Sequence, residues 1–119
     1  MSDMRLGAVE SRFAEIIWNN APLPSGELVK RAEAELGWKK STTYTILRRL
    51  CQRGLFKNED GAVSVLISKD EFSAMQSREF IEESFGGSLP AFLAAFTSRE
   101  KLSEEDIAQL QKLIDVSRR

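Results

Sequence analysis

The period of the apolar residues changes at Leu55, and that change decides the fold class. Before it, apolar side chains recur at helical spacing. From Leu55 to Ile67 they alternate around the pair Asp60-Gly61. An Asp-Gly pair suits a two-residue hairpin turn, where both central residues take positive φ. Leu55-Phe56-Lys57-Asn58 supplies one strand. Ala62-Val63-Ser64-Val65-Leu66-Ile67 supplies the other, with Val63, Val65 and Ile67 to one side.

Three helices precede this hairpin. Leu6, Val9, Phe13, Ile16 and Ile17 form one stripe, opposite Glu10, Arg12 and Glu15; this helix ends near Asn19-Asn20-Ala21-Pro22, with Trp18 in a packing role. Ser25 is the expected N-cap of a second helix with Leu28, Val29, Ala32 and Leu36 inward, stopped by Gly37. A third starts at Ser41 or Thr42 and buries Ile46, Leu47, Leu50 and Cys51. It shows Thr42, Thr43, Thr45, Arg48 and Arg49 on its other face, has Tyr44 near the edge, and closes at Gly54.

The remainder returns to helix. A fourth helix runs from Lys69 or Asp70 to Phe85, with Phe72, Met75, Phe80 and Phe85 as apolar contacts, and Gly86-Gly87 breaks it. Ser88-Leu89-Pro90 starts a fifth, and Ser103 followed by Glu104, Glu105 and Asp106 starts a sixth. The expected class is mainly α with a small β hairpin. It comprises a winged helix-turn-helix domain over residues 1–69 and a three-helix domain over 70–119.

Composition narrows the function. The 119 residues carry 17 Lys plus Arg against 18 Asp plus Glu, a net charge of −1, so a uniformly basic coat is excluded. With no His, His-based general bases, nucleophile pairs and metal ligands are excluded. One Cys excludes an internal disulfide and any two-thiolate metal site; Cys51 reads as a small core residue. No apolar run approaches the roughly 18 residues of a membrane span, and the start Met1-Ser2-Asp3-Met4-Arg5 is not a secretory signal. The expectation is a small cytoplasmic protein, not an enzyme, with no cofactor, no metal and no membrane partner.

Charge is unevenly placed. Lys39, Lys40, Arg48, Arg49, Arg53 and Lys57 follow one another with no Asp or Glu between, whereas from Glu71 onward nine acids outnumber six cations. A basic island in a near-neutral chain points to one face that meets a polyanion. A major groove about 12 Å wide admits one helix, and small hydroxyl side chains at its start let it approach the bases. The candidate DNA-binding residues are therefore Lys39, Lys40, Ser41, Thr42, Thr43, Thr45, Arg48, Arg49, Arg53 and Lys57, with double-stranded DNA as partner. A Thr-rich helix start also serves as ordinary capping, and winged helices also serve as protein-interaction adaptors that bind no DNA; that is the alternative function. No acid lies three or four residues from Arg48 or Arg49 to pair with them along the helix.

The tail is too apolar to cover itself. Phe80, Phe85, Leu89, Phe92, Leu93, Phe96, Leu102, Ile107, Leu110, Leu113 and Ile114 crowd three short helices. Burying the excess against a second copy is the simplest solution, which makes these the candidate dimerisation residues and the chain a homodimer. Packing back onto the winged helix is the monomeric alternative.

Trp38-Lys39-Lys40-Ser41-Thr42-Thr43-Tyr44-Thr45-Ile46-Leu47-Arg48-Arg49-Leu50, with Arg53-Gly54-Leu55 after it, resembles the bacterial repressors of penicillinase and methicillin-resistance genes. The first helix through Glu10 to Trp18 fits as well, as does the tail from Leu102-Ser103-Glu104-Glu105 to Leu113, so the resemblance covers nearly the whole chain. It implies a homodimer that binds an inverted-repeat operator and represses transcription. Lys40, Thr42, Thr43 and Thr45 would then approach bases or flanking phosphates, and Arg48, Arg49 and Lys57 the backbone. Relatives usually carry a basic residue after the wing-tip Gly and an aromatic two positions later; Ala62 and Ser64 stand there here, against a minor-groove contact by the wing. Relatives induced by a sensor protease are cut at an Asn-Phe bond. The matching pair is Ala95-Phe96, which makes it the candidate cleavage position and such a protease a candidate partner. Copper-responsive relatives end in Cys pairs, which this chain lacks.

Overall fold

Apolar stripes at helical spacing turn inward in the first three helices and set the core. The computed structural model describes residues 5–119; residues 1–4, part of the start read against a secretory signal, lie outside the described residues. Helix α1 (Ala8–Asn20) buries Phe13, Ala14, Ile16 and Ile17. A two-residue strand β1 (Leu23–Pro24) leads into α2 (Ser25–Leu36), which buries Leu28 and Ala32. Gly37, at φ 70°, ends α2: its N–H donates to the Glu33 carbonyl at 3.0 Å and the Trp38 N–H to Ala32 at 3.4 Å. Helix α3 (Lys40–Gln52) buries Thr43, Leu47 and Leu50.

The hairpin is β2 (Phe56–Glu59) and β3 (Ala62–Val65), antiparallel, with Phe56 opposite Val65 and Glu59 opposite Ala62. Asp60 and Gly61 both have positive φ, 52° and 79°, as this tight turn requires. The strand β3 stops at Val65, short of the expected Ile67. Beyond it the Leu66 and Ile67 N–H groups both turn to the Leu55 carbonyl, at 3.0 and 3.1 Å.

Two local features depart from the sequence expectation. Strand β1 pairs with β3, Leu23 opposite Val63, giving a three-stranded sheet in the order β1-β3-β2. Two residues carry no readable period, and Pro24 is tolerated because β1 is an edge strand. Ser25 is not a side-chain cap: Pro24 holds the N-cap position of α2 with no side-chain bond. Instead the Ser25 N–H donates to the Gly61 carbonyl at 2.7 Å, and its hydroxyl lies 3.0 Å from that of Tyr44.

Phe13, Ile17, Leu28, Leu47, Leu50, Leu55, Phe56 and Val63 form the centre of the core. Trp18 packs at its edge as expected, with ring centroids 5.5 Å from Phe56 and 5.7 Å from Phe72, and its indole N–H donates to the Ile67 carbonyl at 3.0 Å. Helix α4 (Lys69–Phe85) opens with a reciprocal cap. The Ser68 hydroxyl accepts from the Glu71 N–H at 3.0 Å, and the Glu71 carboxylate accepts from the Ser68 N–H at 2.9 Å.

The chain forms two compact units, one through Ser77 and one from Arg78. The division falls inside α4, beyond the boundary after residue 69 set from the sequence, because buried Phe72 belongs to the first core. The second unit holds the end of α4, α5 (Leu89–Arg99) and α6 (Glu104–Ser117). Gly86 and Gly87, both at positive φ, separate α4 from α5. Ser88 and Ser103 cap their helices, accepting from the Ala91 and Asp106 N–H groups at 3.0 Å each. Phe80, Phe85 and Phe92 meet edge to face, with centroids 5.5 to 6.1 Å apart. The architecture is a winged helix followed by a helical region, mainly α as expected.

Truncating Phe56, fully buried at the junction of wing and helices, should cost about 3–5 kcal/mol as Phe56→Ala. Urea unfolding checks this: the midpoint should fall with the slope unchanged. Ser68→Ala should cost about 0.5–2 kcal/mol through the lost cap. The Ser68 N–H and hydroxyl hold the Glu71 carboxyl below its ordinary pKa. That stabilisation is therefore present above the ordinary glutamate value and is lost as pH falls through the lowered one.

Candidate nucleic-acid interface

The exposed side of α3 is built by what its other side buries. Thr43, Leu47 and Leu50 lie in the core, so the 100° step per residue turns Ser41, Thr45, Arg48 and Gln52 outward as one stripe. Thr42 and Arg49 flank it, also exposed. Lys39 occupies the N-cap position with no side-chain cap bond, and Lys40 follows, so the first-turn amides and two ammonium groups stand together at the helix start. Among the described residues, no carboxylate lies within ion-pair distance of Lys39, Lys40, Arg48 or Arg49. The Thr45 hydroxyl donates to the Ser41 carbonyl at 2.9 Å, which leaves its oxygen as an acceptor and its methyl as an apolar contact.

Three of the sequence candidates stand differently. Thr43 is fully buried, and its hydroxyl donates to the Lys39 carbonyl at 3.1 Å; it belongs to the core, one step from the exposed Thr42, and presents nothing to a groove. Lys57 is exposed, but its ammonium lies 2.7 Å from the Glu59 carboxylate, two residues along the same face of β2. Its charge is matched within the wing. Arg53 is half-buried, and one guanidinium N–H donates to the Arg5 carbonyl at 2.9 Å, tying the start of the described chain to the end of α3. Gln52, which completes the exposed stripe, was missed by sequence reasoning; the helical period alone could have found it. The wing tip carries exposed Glu59 and Asp60, with Ala62 exposed and Ser64 half-buried behind them, an acidic tip that fits the sequence argument against a groove contact there.

Cys51 is half-buried beneath the Asn58 backbone N–H, and burial pushes its thiol pKa up by more than that N–H lowers it. Its stabilising neutral form is therefore present below the ordinary thiol pKa and is lost as pH rises through the raised one. Among the described residues there is no cluster of three or more His, Cys, Asp or Glu that could hold a metal ion, and no helix long and apolar enough to cross a membrane.

In the second unit Phe85, Phe92, Leu93, Leu102 and Leu110 are half-buried, while Phe80, Leu89, Phe96, Ile107, Leu113 and Ile114 are exposed. A groove of about 300 Å³ runs between α5 and α6, lined mainly by Phe92, Leu93, Phe96, Leu102, Leu110 and Leu113. Ala95 and Phe96 sit inside α5, and the Phe96 carbonyl accepts from the Glu100 N–H at 2.9 Å. Proteases prefer exposed loop tips, so cleavage at that bond would need the helix to open.

The profile of the penicillinase repressor family matches residues 6–116. The chain is 24% identical over 115 residues to the penicillinase repressor of Bacillus licheniformis, covering 93% of this chain and 90% of that one. It is 20% identical over 114 residues to a methicillin resistance regulatory protein MecI of Staphylococcus aureus, covering 92% and 93%. It is also 28% identical over 109 residues to an uncharacterized 16.5 kDa protein of Latilactobacillus sakei, covering 88% and 75%.

Because Arg48 and Arg49 are exposed and have no ion-pair partner among the described residues, replacing both with Ala should move folding stability by no more than about 0.5 kcal/mol each. Thr43→Lys, which places an unpaired charge in the core, should cost several kcal/mol, on the order of 3 or more. Thermal unfolding of the two variants checks both statements.

Proposed function

This chain belongs to the penicillinase repressor family, and on that premise we propose that it is a homodimeric transcriptional repressor that binds an inverted-repeat operator in double-stranded DNA. Its relatives are named as repressors and regulatory proteins of resistance, not as enzymes. The observation that carries the reading is the outward side of α3. Hydroxyls cluster near the helix start, cations lie at both ends, and among the described residues no carboxylate competes for them. Ser41, Thr42, Thr45 and Gln52 offer hydrogen bonds and a methyl to base edges, and Lys39, Lys40, Arg48 and Arg49 neutralise phosphates.

The second unit supports the dimeric part. None of its residues is buried in the single chain, and Leu113 remains 63% exposed. A second copy laid on α5 and α6 would cover Phe96, Ile107, Leu113 and Ile114, using one self-complementary patch on both subunits. Its net negative charge disfavours contact with the duplex. Two α3 helices related by a two-fold axis would read half-sites about one helical turn, roughly 10 bp, apart or at a multiple of that.

Fluorescence anisotropy with labelled duplexes tests this. If about 6–10 phosphates are neutralised, affinity should fall roughly 10³ to 10⁵-fold between about 50 and 200 mM salt. Changing Arg48 and Arg49 together to Ala should weaken binding to every duplex, whereas Thr45→Ala or Thr42→Ala should mainly change the preference between sequences. An unchanged affinity in the double Arg variant would place the docking face elsewhere. Absence of duplex binding at low salt would favour a protein-binding adaptor.

A further inference from the structure

We infer that the cleft between α3 and β2 seats one phosphate of the duplex backbone, with Asn58 and Arg48 as its donors; this rests on the DNA-binding reading above. The cleft has a volume of about 260 Å³ and is lined by Tyr44, Leu47, Arg48, Cys51 and Asn58. Among the described residues no carboxylate lines it. Asn58 was not among the sequence candidates, and a lone Asn on a short strand carries no signal of this kind.

The fold explains why this spot gathers donors. In the order β1-β3-β2, strand β2 has an outer edge that no strand covers. Asn58 stands opposite Val63, one residue from the Glu59–Ala62 pair that flanks the turn. In an antiparallel ladder, hydrogen-bonded and open pairs alternate, so the Asn58 N–H turns away from β3. It faces the Cys51 thiol instead. The Asn58 side chain is exposed at the rim. Arg48 reaches the cleft from α3, exposed and without a carboxylate within ion-pair distance among the described residues. The Arg48 guanidinium and the Asn58 side-chain amide, around a hollow that no carboxylate lines among the described residues, match phosphate oxygens.

Position points to the duplex as the source of the phosphate. Arg48 belongs both to the exposed stripe of α3 and to the cleft wall. A helix seated in a major groove has a sugar-phosphate strand along each flank, and the cleft lies on the flank that faces β2. Arg49 is not part of its lining; it is turned 100° around the helix, toward the other strand. Tyr44 is a positioning residue here. Its hydroxyl meets Ser25 at 3.0 Å, and the Ser25 N–H meets the Gly61 carbonyl at 2.7 Å, so one chain of bonds connects α3 to the wing turn.

The test compares wild type, Asn58→Ala and Asn58→Asp, all with unchanged circular dichroism and thermal midpoint, in duplex titrations across a salt series. Asn58→Asp should weaken binding about tenfold on every duplex and lower the magnitude of the salt slope by about one. Asn58→Ala, which removes a hydrogen bond but no charge, should give a smaller loss on every duplex with the slope unchanged. A wild type that binds while Asn58→Asp keeps its affinity and slope overturns the cleft assignment alone; a wild type that binds no duplex overturns the DNA reading beneath it. In a second arm, inorganic phosphate is titrated into wild type while the Asn58 and Cys51 amide resonances are followed. Weak, non-saturating shifts beside the Asn58→Asp loss support a backbone phosphate. Saturation by free phosphate with an unchanged Asn58→Asp slope overturns it in favour of a free-anion site.

Discussion

Burial of one side of α3 governs the rest of the molecule. Leu47 and Leu50, worth about 1.5–3 kcal/mol each when removed from water, anchor the helix in the core that also holds Phe13, Leu28 and Phe56. Thr43 joins them by returning its hydroxyl to its own helix at Lys39, so a polar residue is buried without an unmet bond. A helix held along that side cannot rotate. What remains outside, Ser41, Thr45, Arg48 and Gln52 with Thr42 and Arg49 beside them, is therefore presented in a fixed orientation. Preorganisation of this kind lowers the entropy lost when a partner is engaged.

The wing is joined to that helix at several points. Its first strand packs on α3, its second pairs with β1, and its turn accepts from Ser25, which also meets Tyr44. The Trp18 indole closes the far end by bonding Ile67 and touching Phe56 and Phe72. Two of the wing's own charges then point away from a role on DNA: Lys57 is matched by Glu59, and Asp60 stands at the tip. In the proposed complex the wing would stand as a wall beside the helix rather than read a groove. The second unit differs in kind, since its aromatic residues meet each other but leave a wide apolar surface open. Such a patch is what a subunit interface requires.

Much of this was legible in the sequence. The sequence pattern placed the starts of α1 to α6 within about two residues, because long amphipathic segments repeat their signal several times. Gly37, Asp60-Gly61, Gly86-Gly87, Ser88 and Ser103 marked the ends, because positive φ and capping oxygens demand particular residue types. The misses have a common origin in contacts between distant parts of the chain. Strand β1 exists only because β3 pairs with it. Ser25 was diverted from capping by Gly61 and Tyr44, and Phe72 was drawn into a core built from earlier helices. Within the site, Thr43 was misplaced by one 100° step, since a run of hydroxyl residues gives no contrast by which to choose the buried one. Lys57 was counted as an open cation because Glu59 lies just past the acid-free run.

The most direct test is to select, from the DNA of the source genome, the fragments that the purified full chain retains, and to sequence them. The account predicts enrichment of a few fragments that share an inverted repeat, with half-sites about one helical turn or a multiple of it apart. Recovery of fragments in proportion to the input, with no shared two-fold pattern, would contradict it.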